Sequence, residues 1–256
     1  MILAVDIGNT NITLGGFVGE EIRFISRLAT DPRRTGDQYA VELYDVMRLS
    51  GADISELEGC VIASVVPSVG SAVFDAVQKL SGLEPVVVGP GVKTGVNIKI
   101  DNPAQLGADL VAGAAGALGK YPMPCVIVDM GTATTLSVLD ENGTFLGGSI
   151  AAGVGLTLNA LTQNTALLSA IPIEAPENVI GRNTVESMQS GLVLGTAAMI
   201  DGLVRRIENE LGQKCTVVAT GGRAKQIIRH CDGSFILDEN LLLDGLIKIY
   251  HKNVSE

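Results

Sequence analysis

The chain is poor in the residues that carry most acid–base and redox chemistry. It has two histidines, His230 and His251, and four cysteines, Cys60, Cys125, Cys215 and Cys231, among 256 residues. No CxxC pair occurs and no histidine lies at zinc-ligand spacing from a thiol, so the cysteines read as buried thiols of a reducing compartment. Charge is scarce as well, at 18% against 46% hydrophobic residues, which excludes a disordered chain. That much apolar material suffices for one large domain or two fused ones. What charge there is runs acidic, with a net charge of −10 and a pI near 4.7, whereas a nucleic-acid binder needs a positive face. Long hydrophobic runs are missing too. Gly, Pro or Asp interrupts each one short of the roughly 18 residues of a membrane span, and Met1 leads directly into the first strand. A cytoplasmic protein with a small-molecule ligand is expected. Two nucleotide signatures are also lacking, since no GxxxxGK[ST] occurs and no GxGxxG follows a strand.

What the sequence does have is one motif written twice. Ile2 to Phe17 read ILAVDIGNTNITLGGF, an apolar run ending in Asp6 and followed by Gly8, Asn9 and Thr10. Val126 to Gly148 read VIVDMGTATTLSVLDENGTFLGG, with Asp129, Gly131, Thr132 and Thr134 in the same layout. Each copy predicts a hairpin in which Gly permits a turn and a close backbone approach. One D-x-G is a common turn signal; two in matching strand contexts point to a duplication, with lobes 1–120 and 121–256. Such paired loops suit a polyphosphate held between related lobes, with backbone N–H groups and hydroxyls as donors. A bare carboxylate repels phosphate. Asp6 and Asp129 are therefore expected to hold a cation, hydrated Mg²⁺ or a monovalent ion.

Between and after the copies, strand and helix patterns alternate, which predicts an α/β sheet covered on both faces. Asp37 to Leu49 place Ala40, Leu43, Val46 and Met47 on one helical face, stopped at Gly51. A strand over Val61 to Val66, a helix over Ser68 to Leu80 and a short strand over Pro85 to Gly89 follow, then a Gly- and Pro-rich loop to Pro103. Ala104 to Lys120 read as a helix crowded with Gly and Ala, and Asp109 lies inside it. That carboxylate is either a solvent-facing surface group or the candidate general base, because no catalytic Cys or His constellation is present. Ile150 to Leu161 form a Gly-rich entry to a helix, and Thr184 to Leu211 a long helix that packs on the sheet or reaches a dimer interface. Thr220, Gly221 and Gly222 close a strand from Val217; the paired glycines either admit an adenine ring or form an ordinary turn.

DIGNTN at Asp6 to Asn11, DMGTATT at Asp129 to Thr135, GAD at Gly107 to Asp109, GRNTVESMQSG at Gly181 to Gly191 and TGG at Thr220 to Gly222 together resemble the type III pantothenate kinases, from end to end of the chain. The resemblance implies a duplicated actin-like (ribonuclease H-like) α/β fold, a homodimer, and ATP-dependent phosphorylation of pantothenate with Mg²⁺ and K⁺ or NH₄⁺. By position, Asp6, Ile7, Gly8, Asn9, Thr10, Asn11, Ile12 and Thr13 would hold the ATP phosphates, with Asp6 reaching Mg²⁺, directly or through water. Gly131, Thr132, Thr134, Gly221 and Gly222 would also face ATP, and Asp129 the monovalent cation. Ile100, Gly107, Ala108, Asp109, Leu110 and Thr184 would line the substrate site, Thr184 from the neighbouring protomer, and Asp109 would take the proton from the acceptor hydroxyl. Such a kit suffices, because phosphoryl transfer is mainly positioning and charge neutralisation.

This chain departs from the family pattern at three places. Leu110 stands where Arg is usual, Ile100 where Tyr is usual, and Ala152–Gly153 where Pro-Gly is usual. Losing a guanidinium beside the base removes a charge-assisted bond to the pantothenate carboxylate worth about 1.5–3 kcal/mol, or one to two orders of magnitude in affinity, unless Arg182 or Lys99 replaces it. A kinase of the same fold acting on another hydroxyl compound, and a nucleotide-binding protein without turnover, are the competing expectations.

Overall fold

The computed structural model describes residues 1–254, which form two compact units. The first comprises Met1–Asn97, Asp101–Lys120 and the C-terminal segment from Asn240; the second comprises Ile98–Ile100 and Tyr121–Glu239.

In the first unit, β1 (Ile2–Ile7) and β2 (Asn11–Val18) form an antiparallel hairpin, β3 (Glu21–Ala29) adds to β2, and α1 (Gly36–Leu49) crosses to β4 (Gly59–Ser64), parallel to β1. Helix α2 (Pro67–Ser81) then leads to the short β5 (Val86–Val87), giving the order β3-β2-β1-β4-β5. The uninterrupted run Ile2–Val5 follows from this order: β1 is central and both its faces are buried. Edge strand β3 instead alternates exposed and covered residues. A reciprocal capping box between Thr35 and Gln38 starts α1, and Gly51, at φ +70°, follows its end. Leu43 and Met47 of α1 and Val69, Val73 and Val77 of α2 pack on Leu3, Val5, Ile7, Ile12 and Leu14. Burying each such side chain contributes about 1.5–3 kcal/mol.

After a 3₁₀ turn at Pro103–Gln105 comes α3 (Ala108–Ala117). The expected helix from Ala104 thus begins four residues late, because Leu106 and Gly107 are not helical. The second unit repeats the first: β6 (Cys125–Met130), β7 (Ala133–Leu139) and β8 (Phe145–Ala152) are antiparallel neighbours. Residues Ile150–Ala152, read as the entry to a helix, are the end of β8, and α4 (Val154–Asn164) starts beyond Gly153. Next come α5 (Thr184–Gln189), a π-helical turn at Ser190–Leu194 and α6 (Gly195–Leu211), so the expected long helix is one helical run with a π segment. Strand β9 (Thr216–Thr220) lies parallel to β6, α7 (Ala224–Ile227) follows, and β10 (Ile236–Leu237) completes the order β10-β9-β6-β7-β8. Strand for strand this is the arrangement of the first sheet. Helices α4, α6 and α7 cover one face of it, packing on Val126, Val128, Met130 and Leu136.

The last helix, α8 (Leu241–Val254), returns to the first unit. The expected second lobe running to residue 256 therefore loses its final helix, and Ile98–Ile100 joins that unit by pairing with β8 through Ile98 and Phe145. Helix α8 lies on α3 with no side chain between the backbones: a Cβ on Gly245 would sit 1.8 Å from the Ala112 carbonyl oxygen, and one on Gly116 2.2 Å from that of Leu241. Lys248 Nζ donates to the carbonyls of Gly116 and Leu118 at 2.9 and 2.8 Å, satisfying the end of α3. This pair covers the sheet face opposite α1 and α2, where Leu243 meets Gly15 and Tyr250 meets Gly59.

Candidate active site: two braced turns and a half-buried carboxylate

Strand alternation decides where each acid points. In β1 the odd residues Leu3, Val5 and Ile7 face the core, so Asp6 stands on the other face, the one that carries α3 and α8. Its cross-strand partner is Thr13. Ile7 and Ile12, both fully buried in the core, bring only their backbone to the turn between them. That turn is closed by the Gly8 N–H donating to Asn11 O at 3.0 Å. Thr30, just past β3, braces it: its Oγ1 donates to Gly8 O at 2.7 Å and its N–H to Thr10 O at 3.0 Å. A trans peptide sets N–H opposite C=O, so the N–H groups of Asn9 and Asn11 are aimed away from Thr30. Two donors fixed in one direction suit an anion.

The second unit repeats this device with one residue fewer. Gly131 N–H donates to Ala133 O at 3.0 Å, and Gly153 N–H, just past β8, braces Thr132 O at 3.1 Å. The register pairs Met130 with Thr134 and Asp129 with Thr135, whereas in the first unit Ile7 pairs with Ile12 and Asp6 with Thr13. Shortening a turn by one residue moves the next strand's side chains to opposite faces relative to their sequence position. Thr134, expected beside phosphate, is 1% exposed and shares the core face with Met130 and Leu136; its hydroxyl is on the wrong side. Thr135 shares the face of Asp129. Its Oγ1 is closed off from solvent and has no hydrogen-bond partner. A carboxylate with such an oxygen across from it is a set of hard donors that fits a cation. Among the described residues no three His, Cys, Asp or Glu side chains converge.

Gly221, at φ +92°, comes close to this acid: a Cβ there would sit 2.3 Å from Asp129 Oδ1. Its glycine is thus required by the carboxylate. Gly222 opens instead onto a cleft of about 520 Å³ with Glu174, Lys225, Gln226 and Arg229, all in the second unit.

Asp109 lies in the first turn of α3, behind Gly107 and Ala108, and is neither solvent-facing nor fully buried. Its Oδ1 accepts the Leu110 N–H at 2.8 Å. Desolvation by burial pushes the carboxyl above its ordinary range, and the backbone hydrogen bond offsets part of this. A Cβ on Gly107 would fall 2.4 Å from that same Oδ1, so the glycine makes room for this rotamer. A carboxylate of raised basicity at a helix start is suited to accept a proton. Leu110 is half-buried and brings no charge.

The remaining expected substrate residues belong to the second unit. Ile100 lies against Gly147, 3.9 Å from where a Cβ would stand, beside the Lys99 N–H to Phe145 O bond of 2.8 Å. Thr184 opens α5 behind the Asn183 cap and lines a cleft of about 600 Å³ with Thr157, Leu161 and Met188. Lys99 and Arg182 are exposed. Sequence reasoning passed over Thr30 and Thr135. The second stood inside a quoted motif, and only the strand register separates it from Thr134.

A family model described as type III pantothenate kinase matches residues 2–206. Proteins named type III pantothenate kinase from Moorella thermoacetica and Exiguobacterium sp. are each 40% identical over 253 residues, which is 99% of this chain and 100% and 99% of theirs. Among solved structures, component A of the (R)-2-hydroxyglutaryl-CoA dehydratase of Acidaminococcus fermentans superposes with a TM-score of 0.60 at 16% identity, covering 100% of this chain and 99% of that one, a likeness of fold alone. The duplicated sheet topology is thus that of the actin-like fold, and full-length identity with the two kinases, together with the family match, bears out the resemblance read from the motifs. This chain belongs to the type III pantothenate kinase family.

Proposed function

We propose that this protein transfers the γ-phosphoryl group of ATP to the hydroxyl of pantothenate, giving 4'-phosphopantothenate and ADP, the first step of coenzyme A biosynthesis. Full-length identity with proteins of that name carries the reading, and a half-buried carboxylate on α3 supports it. Asp109 accepts the hydroxyl proton as the oxygen–phosphorus bond forms and the bond from phosphorus to the ADP oxygen breaks. The braced N–H groups of the Asp6–Thr13 and Asp129–Thr135 hairpins hold phosphate oxygens, a role supported by the Thr30 and Gly153 bonds that fix their direction. Asp6 would hold Mg²⁺, directly or through water, and Asp129 a monovalent cation, K⁺ or NH₄⁺; bound there, the ions would neutralise charge on the phosphates. Gly222 and its cleft receive the nucleoside, and Gly107, Ala108, Leu110 and Ile100 line the acceptor site.

The working form in this reading is a homodimer in which Thr184 reaches the partner's substrate. Leu167, Val179 and Ile180, around α5, are 91%, 72% and 83% exposed, apolar surface that a partner protomer would cover. A cytoplasmic location is supported by four free cysteines; among the described residues no helix is long and apolar enough to cross a membrane.

A second reading, a different hydroxyl acceptor, is favoured by one feature only: Leu110 leaves the first turn of α3 without a cation. Product detection over a panel of hydroxyl compounds with ATP and Mg²⁺ decides. Phosphopantothenate that disappears in Asp109→Asn supports the first reading. Another phosphorylated product supports the second, and nucleotide binding without any product overturns both.

A further inference from the structure

We propose that Thr135 is a further ligand of the monovalent cation at Asp129, its hydroxyl oxygen supplying a neutral donor next to the carboxylate. The inference rests on the cation reading given above for Asp129. Four observations of the second unit carry it. First, β6 and β7 pair Asp129 directly with Thr135, so both side chains leave the same face of the sheet with Cβ atoms about 4.5–5.5 Å apart. Second, Thr135 Oγ1 is buried and accepts or donates no hydrogen bond. Leaving such a hydroxyl unmet is unfavourable, and a valine of the same shape would avoid that cost. Third, of the other two buried side-chain oxygens without a partner among the described residues, that of Ser149 lies on a residue in register with Leu136 on the helix-covered face, and that of Glu42 belongs to the first unit. Of these three, Thr135 alone shares a face and a row with Asp129. Fourth, the first unit places Thr13 across from Asp6 in the same way, although Thr13 follows its acid by seven residues and Thr135 by six. A carboxylate–hydroxyl pair therefore recurs at the same structural place in both hairpins, through different spacings.

On the other side of Asp129 the register sets Thr220, which is 1% exposed. The acid thus stands between two threonines in one row across β9, β6 and β7, and the hydroxyl of Thr135 is closed off from solvent without a hydrogen-bond partner. An alkali cation, or an ammonium ion donating to the same oxygen, gives that hydroxyl its missing partner.

The test uses the full-length protein, Thr135→Val, Thr135→Ser and Asp129→Asn. Melting temperature is measured while KCl replaces choline chloride at constant ionic strength, and K⁺ activation of phosphoryl transfer is measured in parallel. The wild-type melting temperature should rise with K⁺. In Thr135→Val the half-saturating K⁺ concentration should increase about tenfold, equivalent to about 1.4 kcal/mol, and in Thr135→Ser it should stay within about threefold of wild type. In choline chloride alone the valine variant should melt at or above wild type, because a buried hydroxyl without a partner has been replaced by a methyl group; a merely structural hydroxyl would make it melt lower. An unchanged K⁺ dependence in Thr135→Val, with a responding wild type and a silent Asp129→Asn, removes Thr135 from the site and leaves the cation reading standing. A wild type indifferent to K⁺ removes both.

Discussion

At the scale of single residues, Asp109 shows how burial changes a carboxyl's hold on its proton. Desolvation raises its pKa from the ordinary 3.8, so the native state holds this proton more tightly than the unfolded chain does. The resulting stability is complete below the unfolded pKa and is lost as pH rises through the folded one. Above that window wild type carries a half-buried charge. Asp109→Asn should therefore melt higher than wild type at neutral pH, with the gap closing as pH falls toward 4. With Asp109 as the proposed base, which acts only when ionised, the acidic limb of the wild-type rate profile should lie above 3.8, and the amide should lower kcat by about 10²- to 10⁴-fold. A Tm series against pH checks the first outcome and steady-state kinetics the second. Gly107→Ala asks whether the rotamer matters. Its methyl would overlap Asp109 Oδ1 at 2.4 Å, so kcat should fall about tenfold or more while the KM for ATP changes little, since the phosphate turns are untouched. An equal loss in both parameters would show that the substitution disturbs more than the carboxylate.

At the scale of elements, α3 is held from behind by α8. The helices touch backbone to backbone at Gly245 and Gly116, and Lys248 satisfies the last carbonyls of α3. An added methyl at Gly245 would meet a carbonyl oxygen at 1.8 Å and force the two helices apart. Overpacking of this kind costs about 1–3 kcal/mol. Gly245→Ala should lower the denaturant midpoint accordingly and also reduce kcat, because the element that shifts carries Asp109; a stability loss with unchanged kcat would mean that α3 keeps its place without α8. The turns follow the same logic. Thr30 and Gly153 lie beyond the third strand of their units, yet they fix the direction of N–H groups in the loop between the first and second strands.

At the scale of the whole molecule, the exposed apolar residues around α5 are where the proposed dimer is tested. Ile180→Asp, placing a charge on a side chain that is 83% exposed here, should convert a dimer to a monomer in analytical ultracentrifugation and abolish turnover if Thr184 serves the partner's site. A monomeric wild type, or a fully active monomeric variant, would refute the shared site. The sequence by itself determined the duplication, the fold class and the family, because an apolar run ending in D-x-G records both a buried strand and its turn in consecutive residues. Asp109 was legible as a carboxylate on a Gly- and Ala-rich helix, while its burial was not, since solvation depends on what packs around the helix. Only the tertiary structure returned α8 to the first unit, moved Thr134 to the core and Thr135 to the acid, and brought Thr30 to a turn twenty residues upstream. Each of these depends on register or on contacts distant in sequence, and a linear spacing of residue types encodes neither.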